Sequence, residues 1–248
     1  MRVVILLAGI SRRMKKLNAD SHKALINLDS HSVLHHIIEN FINADIFNFI
    51  PIVGHNFKNV LSCFDQTYSK NINVHPIYNK HYSDRNNLYS LYCARKELEG
   101  NEFILCNGDM VFDRRIVKNI LSMDKSSAIA IDDSSFKKPI DSPGVILKQN
   151  RIMDLGRHIP FDNNDGYAIG IYKFNKDLTS VFFNESEIML KSNLNAGFHD
   201  PLIELFKSNL VNKCSTKEYL WTDIDEDDDV IKARRIHQQI KLNYENSK

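Results

Sequence analysis

The chain has 248 residues, of which 43% are hydrophobic and 25% charged, and its formal net charge is +1. This composition is typical of a soluble globular protein, and so small a net charge argues against a surface that binds nucleic acid. No apolar run reaches the roughly 20 residues that a transmembrane helix needs, and Val3–Leu7 is too short for a signal peptide. We therefore expect a single domain, residues 1–248, in the cytoplasm, with neither nucleic acid nor a membrane as a partner. The sequence leaves open whether the protein is a monomer or a homodimer.

Metal or disulfide sites built from cysteine and histidine are not expected. The cysteines are Cys63, Cys93, Cys106 and Cys214. They are widely spaced and form no C-x-x-C pair, so we expect reduced thiols that pack in or near the core. His35 and His36 are adjacent, and they do not match the i, i+4 spacing of a ligand pair on a helix.

The first predicted element is a buried strand, Val3–Leu7, which stops at Ala8-Gly9. Small residues at the end of a strand let the backbone approach a ligand closely. The stretch that follows brings hydroxyl and cationic groups beside backbone N–H donors, through Ser11, Arg13 and Lys23. Such groups suit a triphosphate, although the loop has neither the Walker A spacing nor the third glycine of a dinucleotide fingerprint. The alternative is an ordinary first turn of an α/β protein with solvated cations.

The next elements alternate between strands and helices. In chain order we predict a strand at Ala24–Leu28, a helix from Val33 to about Ala44 with Ser32 as its N-cap, a strand at Phe49–Val53 that ends at Gly54, a helix at Phe57–Phe64 and a strand at Ile72–Ile77. This alternation favours a mostly parallel sheet wrapped by helices.

A polar, amide-rich segment, Tyr78–Asn87, turns abruptly into an apolar helical face that begins near Asn87. A helix start that faces a cleft is able to bind an anion or to offer amides to a nucleobase. The simpler alternative is that Asn86 or Asn87 only caps the helix.

Another buried strand, Glu102–Cys106, is followed directly by Asn107, Gly108 and Asp109. Ligands of doubly wound sheets lie at the carboxyl ends of the strands, so Asp109 beside a glycine is well placed to hold a divalent cation. The alternative is an ordinary aspartate in a turn.

The remaining predicted elements are a helix at Arg114–Met123, a strand at Ala128–Ile131, a hairpin formed by Gly144–Lys148 and Arg151–Leu155, helices at Leu178–Leu190 and Pro201–Ser208, the latter with Asp200 as a cap candidate, and a basic closing helix from Lys232. A loop that contains Lys137, Lys138 and Asp141 either borders a substrate site or is simply solvated.

Near the end of the chain, Asp223 and Asp225 would share one face of a strand. Packing such carboxylates together without a cation would raise their pKa values and cost stability.

Two of these segments resemble the nucleotidyltransferases that activate sugar phosphates and lipid or glycan head groups. Leu7–Met14 with Lys23–Leu25 is similar to their AAGxGxRL…PKxL signature, although Ser11 stands in place of the second glycine and His22 in place of the proline. The turn that ends in Asp109 matches the metal-binding aspartate of the same family.

Three further segments resemble the phosphocholine- and phosphonate-type cytidylyltransferases more narrowly. Residues 79–92 are similar to a segment with the pattern NN(I/L)YS, Gly156–Ile171 to GKxxPxxxxDGEYIGM, and Trp221–Val230 to W-x-E-I-D-T-x-E-D-L. Arg157 takes the position of the lysine that faces the acceptor's phosphate in that family, which keeps the charge but changes the geometry of recognition.

The resemblance implies a Rossmann-like α/β nucleotidyltransferase fold with a small acceptor-side subregion at about residues 134–200. It implies Arg13, Lys23 and Asp109 as catalytic residues. The implied nucleotide-binding residues are Leu7, Ala8, Gly9, Ser11, Arg13, Lys23, Gly54, Asn86, Asn87, Ser90, Asn107 and Gly108. The implied acceptor-binding residues are Arg157, Tyr167 and Asp200, and Mg²⁺ is expected on Asp109 and Asp225.

The function that the resemblance implies is transfer of CMP from CTP to a small molecule with a phosphate or phosphonate group, with release of pyrophosphate. The product would be an activated head group for surface glycans or lipids, with phosphocholine, aminoethylphosphonate, a polyol or sugar phosphate, or phosphoglutamine as the acceptor. One alternative is a uridylyl- or guanylyltransferase for a sugar 1-phosphate. Another is a non-catalytic nucleotide-binding subunit, which would have lost Arg13, Lys23, Asp109 or Asp225.

Overall fold

The computed structural model describes residues 1–14, 21–68, 71–123, 126–134, 142–207 and 211–245. The predicted loop with Lys137, Lys138 and Asp141 lies outside these described residues, and so does the predicted helix end at Ser208. None of the helices in the described ranges is both long enough and apolar enough to cross a membrane.

The bounds of the elements follow the predicted alternation closely. The strands are β1 (Arg2–Leu7), β2 (Asn48–Val53), β3 (Asn73–Val74), β4 (Ile77–Tyr78), β5 (Phe103–Asn107), β6 (Met110–Phe112), β7 (Ser127–Asp132), β8 (Gly144–Lys148), β9 (Arg151–Gly156), β10 (Tyr167–Phe174), β11 (Val211–Ser215) and β12 (Trp221–Asp223). The helices are α1 (Val33–Ile42), α2 (Phe57–Tyr68), α3 (Asn87–Tyr92), α4 (Arg95–Leu98), α5 (Arg114–Leu121), α6 (Lys176–Ser192), α7 (Asp200–Phe206) and α8 (Asp229–Glu245).

The described strands form one large mixed sheet and one small sheet. The large sheet has the order β3-β2-β1-β5-β10-β7-β11-β9-β8, with β4 also paired to β2. Strand β1 is parallel to both β2 and β5, whereas β10 runs antiparallel to β5 and β7. The small sheet pairs β6 with β12. The predicted α/β sheet wrapped by helices is confirmed, and its first half is parallel as expected, while the antiparallel pairings of β8, β9 and β10 make the whole sheet mixed.

Helices cover both faces of the large sheet. Val3 and Ile5 of β1 lie in one apolar cluster with residues of α1, α5 and α8, and Val4 lies in a second cluster with residues of α3, α6 and α7. Successive side chains of a strand point to opposite faces, so a strand that is covered on both faces must be apolar throughout. This explains why β1 appears in the sequence as a continuous apolar run.

Two of the predicted strands are wrong in their details. The segment predicted as the strand Ala24–Leu28 contains a 3-10 helix, Lys23–Leu25, because the His22 side chain accepts a hydrogen bond from the N–H of Ala24 (3.1 Å) and so closes a turn. The predicted strand Ile72–Ile77 is divided into β3 and β4, with Pro76 between them. Proline has no N–H to donate to the sheet.

The predicted cap of α7 is also wrong. Residue 199 occupies the N-cap position, and the Asp200 carboxylate accepts a hydrogen bond from the N–H of Gly197 instead (2.8 Å). Ser32, in contrast, caps α1 as predicted, because its hydroxyl accepts a hydrogen bond from the N–H of His35.

The main chain of β6 is held by side chains of α1. His36 accepts a hydrogen bond at Nε2 from the N–H of Phe112 (3.1 Å), and Asn40 donates to the Phe112 carbonyl (2.7 Å). Burial, together with the neighbouring His237, lowers the pKa of His36 from 6.5 to about 3. The imidazole is therefore neutral in the folded protein at any pH above about 4.

We expect the free energy of unfolding to fall between pH 8 and pH 5, and His36→Gln to reduce this fall. In the unfolded chain His36 takes up a proton below about pH 6.5 and in the folded chain it does not, so acid favours unfolding by about 2 kcal/mol at pH 5. Glutamine does not titrate, yet it offers an acceptor to Phe112. Urea unfolding at several pH values measures the free energy of unfolding. An equal dependence of that free energy on pH in the wild-type protein and in His36→Gln would contradict the expectation.

Candidate functional site

A cavity of about 800 Å³ lies at the carboxyl ends of β1 and β5. Because β10 runs antiparallel to β5, the beginning of β10 reaches the same edge of the sheet. The predicted site residues that line the cavity are Ala8, Gly9, Arg13, Lys23, Asn86, Asn87, Ser90, Asn107, Gly108, Asp109, Arg157, Asp200 and Asp225. The structure thus gathers residues from most of the chain at one edge of the sheet.

Four predicted site residues do not line this cavity: Leu7, Ser11, Gly54 and Tyr167. The side chain of Leu7 is fully buried in the core, and Gly54 lies beneath Tyr82. Tyr167 is buried on β10, and the alternation of side chains places it on the face opposite to Ala168. The residues of β10 that line the cavity are Ala168, Ile169, Gly170 and Tyr172.

The loop after β1 has a glycine-like backbone at Ser11, one of the two residues that differ from the signature. Ser11 has a φ of 53°, which is the left-handed region that favours the glycine it replaces. Its hydroxyl accepts a hydrogen bond from the N–H of Lys23 (3.3 Å), and its carbonyl accepts one from the N–H of Met14 (3.0 Å). Ser11 therefore shapes the loop and connects it to Lys23.

The centre of the site is a cluster of two cations and two carboxylates. Lys23 Nζ contacts the carboxylate of Asp109 and lies 3.2 Å from Asp225 Oδ1, while Arg13 Nη2 lies 2.7 Å from the same oxygen. Burial acts to lower the pKa of Lys23, but the two carboxylates outweigh it and raise that pKa. Lys23 is therefore charged at neutral pH, and its partners are only 15% and 16% exposed.

The small sheet brings Asp225 to Asp109. Strand β12 pairs with β6, and just beyond the paired residues the N–H of Ile224 donates to the carbonyl of Asp109 (3.0 Å). Asp225 follows the end of β12, where its own N–H donates to Asp229 (3.0 Å). Asp223 lies nearby, and burial together with the charges of Asp109 and Asp225 raises its pKa to about 6.

One carboxylate oxygen in this cluster accepts no hydrogen bond from the described residues. Asp109 Oδ1 is buried and has no hydrogen-bond partner among the described residues. Within the same described ranges, no group of three or more histidine, cysteine or carboxylate side chains is arranged to hold a metal ion by itself. The donor set fits a hard cation that takes few protein carboxylates and completes its shell with substrate oxygens and water.

The side chains of the two asparagines at the start of α3 form hydrogen bonds with the main chain of the protein. Asn86 caps the helix, since its Oδ1 accepts a hydrogen bond from the N–H of Asn87 (2.8 Å), and its Nδ2 donates to the Asn195 carbonyl (3.1 Å). Asn87 Oδ1 accepts a hydrogen bond from the N–H of Phe198 (2.9 Å). The capping interpretation is confirmed for Asn86, and contact of either residue with a base stays a prediction.

Arg157 and a pair of rings also line the cavity. The Tyr172 hydroxyl and His199 Nε2 are 2.6 Å apart. Burial lowers the pKa of His199 to about 4, and the positive charge of Arg157 acts in the same direction. His199 is thus a neutral hydrogen-bonding group. Neither ring was predicted, because Tyr172 belongs to a buried strand and His199 to a polar connection whose partners are distant in the sequence.

Comparison with known proteins identifies the family and supports the fold. Residues 3–153 match a family model described as a MobA-like NTP transferase domain. In the solved structure of the inositol-1-phosphate CTP transferase from T. maritima, the matching chain has a TM-score of 0.80 and 19% identity over 97% of this chain and 96% of that one. At this identity the likeness shows the fold.

Two curated relatives match over different lengths. A bifunctional IPC transferase and DIPP synthase of Aquifex aeolicus is 23% identical over 94% of this chain and 50% of the relative. A choline-phosphate cytidylyltransferase of Streptococcus pneumoniae is 29% identical over 45% of this chain and 46% of the relative. The chain therefore spans half or less of the length of these curated relatives.

We expect Gly9→Ala to leave the stability of the protein unchanged but to weaken binding of a nucleoside triphosphate by about tenfold. A Cβ at Gly9 would meet no described atom within 4 Å, so only a ligand would collide with it. The matched control is Gly108→Ala, whose Cβ would lie 2.5 Å from the Leu6 carbonyl oxygen and should lower stability by about 1–3 kcal/mol. Thermal unfolding and calorimetric titration separate the two effects, and unchanged affinity in Gly9→Ala would contradict a close ligand there.

Proposed function

The chain belongs to the MobA-like NTP transferase domain family, and we propose that it is a cytidylyltransferase that transfers CMP from CTP to a small molecule with a phosphate or phosphonate group. The observation that carries the proposal is the cluster of Arg13, Lys23, Asp109 and Asp225 at the edge of a cavity large enough for two substrates. The choice of CTP is supported by the Streptococcus pneumoniae and T. maritima proteins, which are named for the use of cytidine nucleotides.

In the reaction, an oxygen of the acceptor's phosphate or phosphonate forms a bond to the α-phosphorus of CTP. The bond from that phosphorus to the bridging oxygen of the β-phosphate breaks, and pyrophosphate leaves with the electron pair. The attacking oxygen is already ionised at neutral pH, so no general base is needed. The task of the protein is to bring two anions into line and to offset the charge that develops.

Arg13 and Lys23 would bind the triphosphate in this scheme. Both are cations paired with carboxylates, and Arg13 is 52% exposed and therefore accessible to a phosphate. A guanidinium binds two phosphate oxygens with its planar fork, whereas an ammonium acts as a point charge. Together they would hold the β- and γ-phosphates that leave as pyrophosphate.

We propose Mg²⁺ as the cofactor, held by Asp109 and Asp225. The unpaired buried oxygen Asp109 Oδ1 and the closely spaced carboxylates support this assignment. When bound, Mg²⁺ neutralises phosphate charge and orients phosphate oxygens. Lys23 contacts both carboxylates and would keep them oriented toward the same point.

The acceptor would bind on the Arg157 side of the cavity, where the phosphate or phosphonate faces the guanidinium and the remainder of the molecule faces Tyr172 and His199. Phosphocholine, aminoethylphosphonate and phosphoglutamine are the acceptors that we propose first. The product would then be an activated head group for surface glycans or lipids.

Pyrophosphate release with CTP, UTP, ATP and GTP, each paired with these acceptors and with a polyol phosphate and a sugar 1-phosphate, tests the proposal in the presence of Mg²⁺. We expect turnover with CTP to exceed that with either purine nucleotide by at least about 100-fold, because a site that pairs with one base leaves groups unpaired with another. Asp109→Asn is the inactive control. Preferred use of UTP or GTP with the sugar 1-phosphate would replace the proposal with its first alternative.

Arg157→Ala should raise the acceptor KM and leave the affinity for CTP nearly unchanged. Loss of one hydrogen-bonded phosphate contact costs about 1.5–3 kcal/mol. Arg157→Lys should recover part of this loss, because the charge is kept while the two-pronged geometry is lost. Acceptor kinetics and calorimetric titration with CTP measure the two effects. Equal weakening of CTP and acceptor binding would move Arg157 to the triphosphate side.

A further inference from the structure

The segment between α6 and α7 forms a wall of the cavity but has little structure of its own. Residues 193–199, all of them described, form turns rather than a helix or a strand. Within the segment the main chain contributes a 3.3 Å hydrogen bond from the N–H of Ala196 to the carbonyl of Asn193. Asn195, Gly197, Phe198 and His199 nevertheless all line the cavity.

The N-cap of α3, Asn86, and its first residue, Asn87, help to hold this segment in place. The amide nitrogen of Asn86 donates to the carbonyl of Asn195, and the amide oxygen of Asn87 accepts from the N–H of Phe198, over distances of 3.1 and 2.9 Å. Helix α3 is itself fixed, because Leu88 and Leu91 are fully buried in the core. The two hydrogen bonds therefore attach a wall that has no helix or strand of its own to a rigid element.

Residues 193–199 carry two rings that line the cavity, those of Phe198 and His199. The Phe198 ring packs edge-on against Tyr172, with centroids 4.9 Å apart, and the next residue, His199, bonds to the Tyr172 hydroxyl. A displacement of the main chain at residues 195–198 would move both rings and open the cavity beside Arg157.

We propose that Asn86 and Asn87 are positioning residues for the acceptor: they clamp residues 195–198 so that Phe198 and His199 form the wall against which the acceptor binds. This inference rests on the proposed function, since it assigns the clamp to the acceptor side of that reaction. It differs from the sequence-based prediction, in which the same two residues contact the nucleotide.

The test uses the same substitution at two adjacent positions. Asn86→Asp keeps the oxygen that caps α3 but replaces the donor to Asn195 with a second oxygen, whereas Asn87→Asp keeps the oxygen that binds Phe198. Both variants add one negative charge at the start of a helix, where it is favourable, so α3 should persist in each. Asn87→Ala removes the bond to Phe198, and Asn87→Asp is its conservative rescue.

We expect Asn86→Asp and Asn87→Ala to raise the acceptor KM by about tenfold relative to Asn87→Asp, the size of effect that follows from losing one hydrogen bond. The affinity for CTP, measured by calorimetry, should be equal in Asn86→Asp and Asn87→Asp. A loss of CTP affinity in Asn87→Ala as large as its loss of acceptor use would overturn the proposal. An acceptor KM that is the same in all three variants would overturn it as well.

Hydrogen exchange provides a measurement that needs no turnover. The amide of Phe198 should exchange faster in Asn87→Ala than in Asn87→Asp, because only the latter keeps its acceptor. Equal exchange rates would overturn the clamp even if the enzyme transfers CMP as proposed. If the wild-type protein transfers no nucleotide while the exchange rates differ as expected, the proposed function fails and the assignment of the clamp to an acceptor fails with it.

Discussion

The constraint on which the rest of the structure depends is the gathering of Arg13, Lys23, Asp109 and Asp225 at one point. Three of these side chains are mostly buried, and removing one member of a buried ion pair leaves an uncompensated charge that typically costs about 3–5 kcal/mol. The cluster is therefore stable only as a set. In the proposed reaction the cations would bind phosphates and the carboxylates would hold a metal ion, so each member would keep an oppositely charged partner.

Two irregular parts of the topology serve this cluster. The antiparallel strand β10 next to β5 brings Tyr172 to the same edge of the sheet as Asp109. The small sheet of β6 and β12 brings the end of the chain back to that edge, where the N–H of Ile224 bonds to the carbonyl of Asp109. His36 and Asn40 hold β6 from the other side through Phe112.

The sequence predicts the parts of this protein that depend on local pattern. Buried strands such as β1 and β5, the cap at Ser32 and the turn before Asp109 follow from composition and spacing over a few residues. The sequence does not predict what depends on long-range contacts. The partner of Asn87 is 111 residues away, and the 3-10 helix after His22 depends on one side-chain hydrogen bond within an apolar stretch that otherwise favours a strand. The resemblance implies Tyr167, which does not line the cavity, because similarity to a motif does not tell which residues of a strand reach a cavity.

The two departures from the signature show how a motif persists when its residues change. Ser11 adopts the left-handed backbone of a glycine, at a cost of about 1–2 kcal/mol, and its hydrogen bonds to Met14 and Lys23 offset part of that cost. His22 has a φ of −129°, which a proline ring does not reach, and its side chain instead fixes the turn that carries Lys23. Both residues stabilise the same feature, the position of the Lys23 ammonium between two carboxylates. In this chain the two substituted residues therefore act through the hydrogen bonds that they accept, from the N–H of Lys23 at Ser11 and from the N–H of Ala24 at His22.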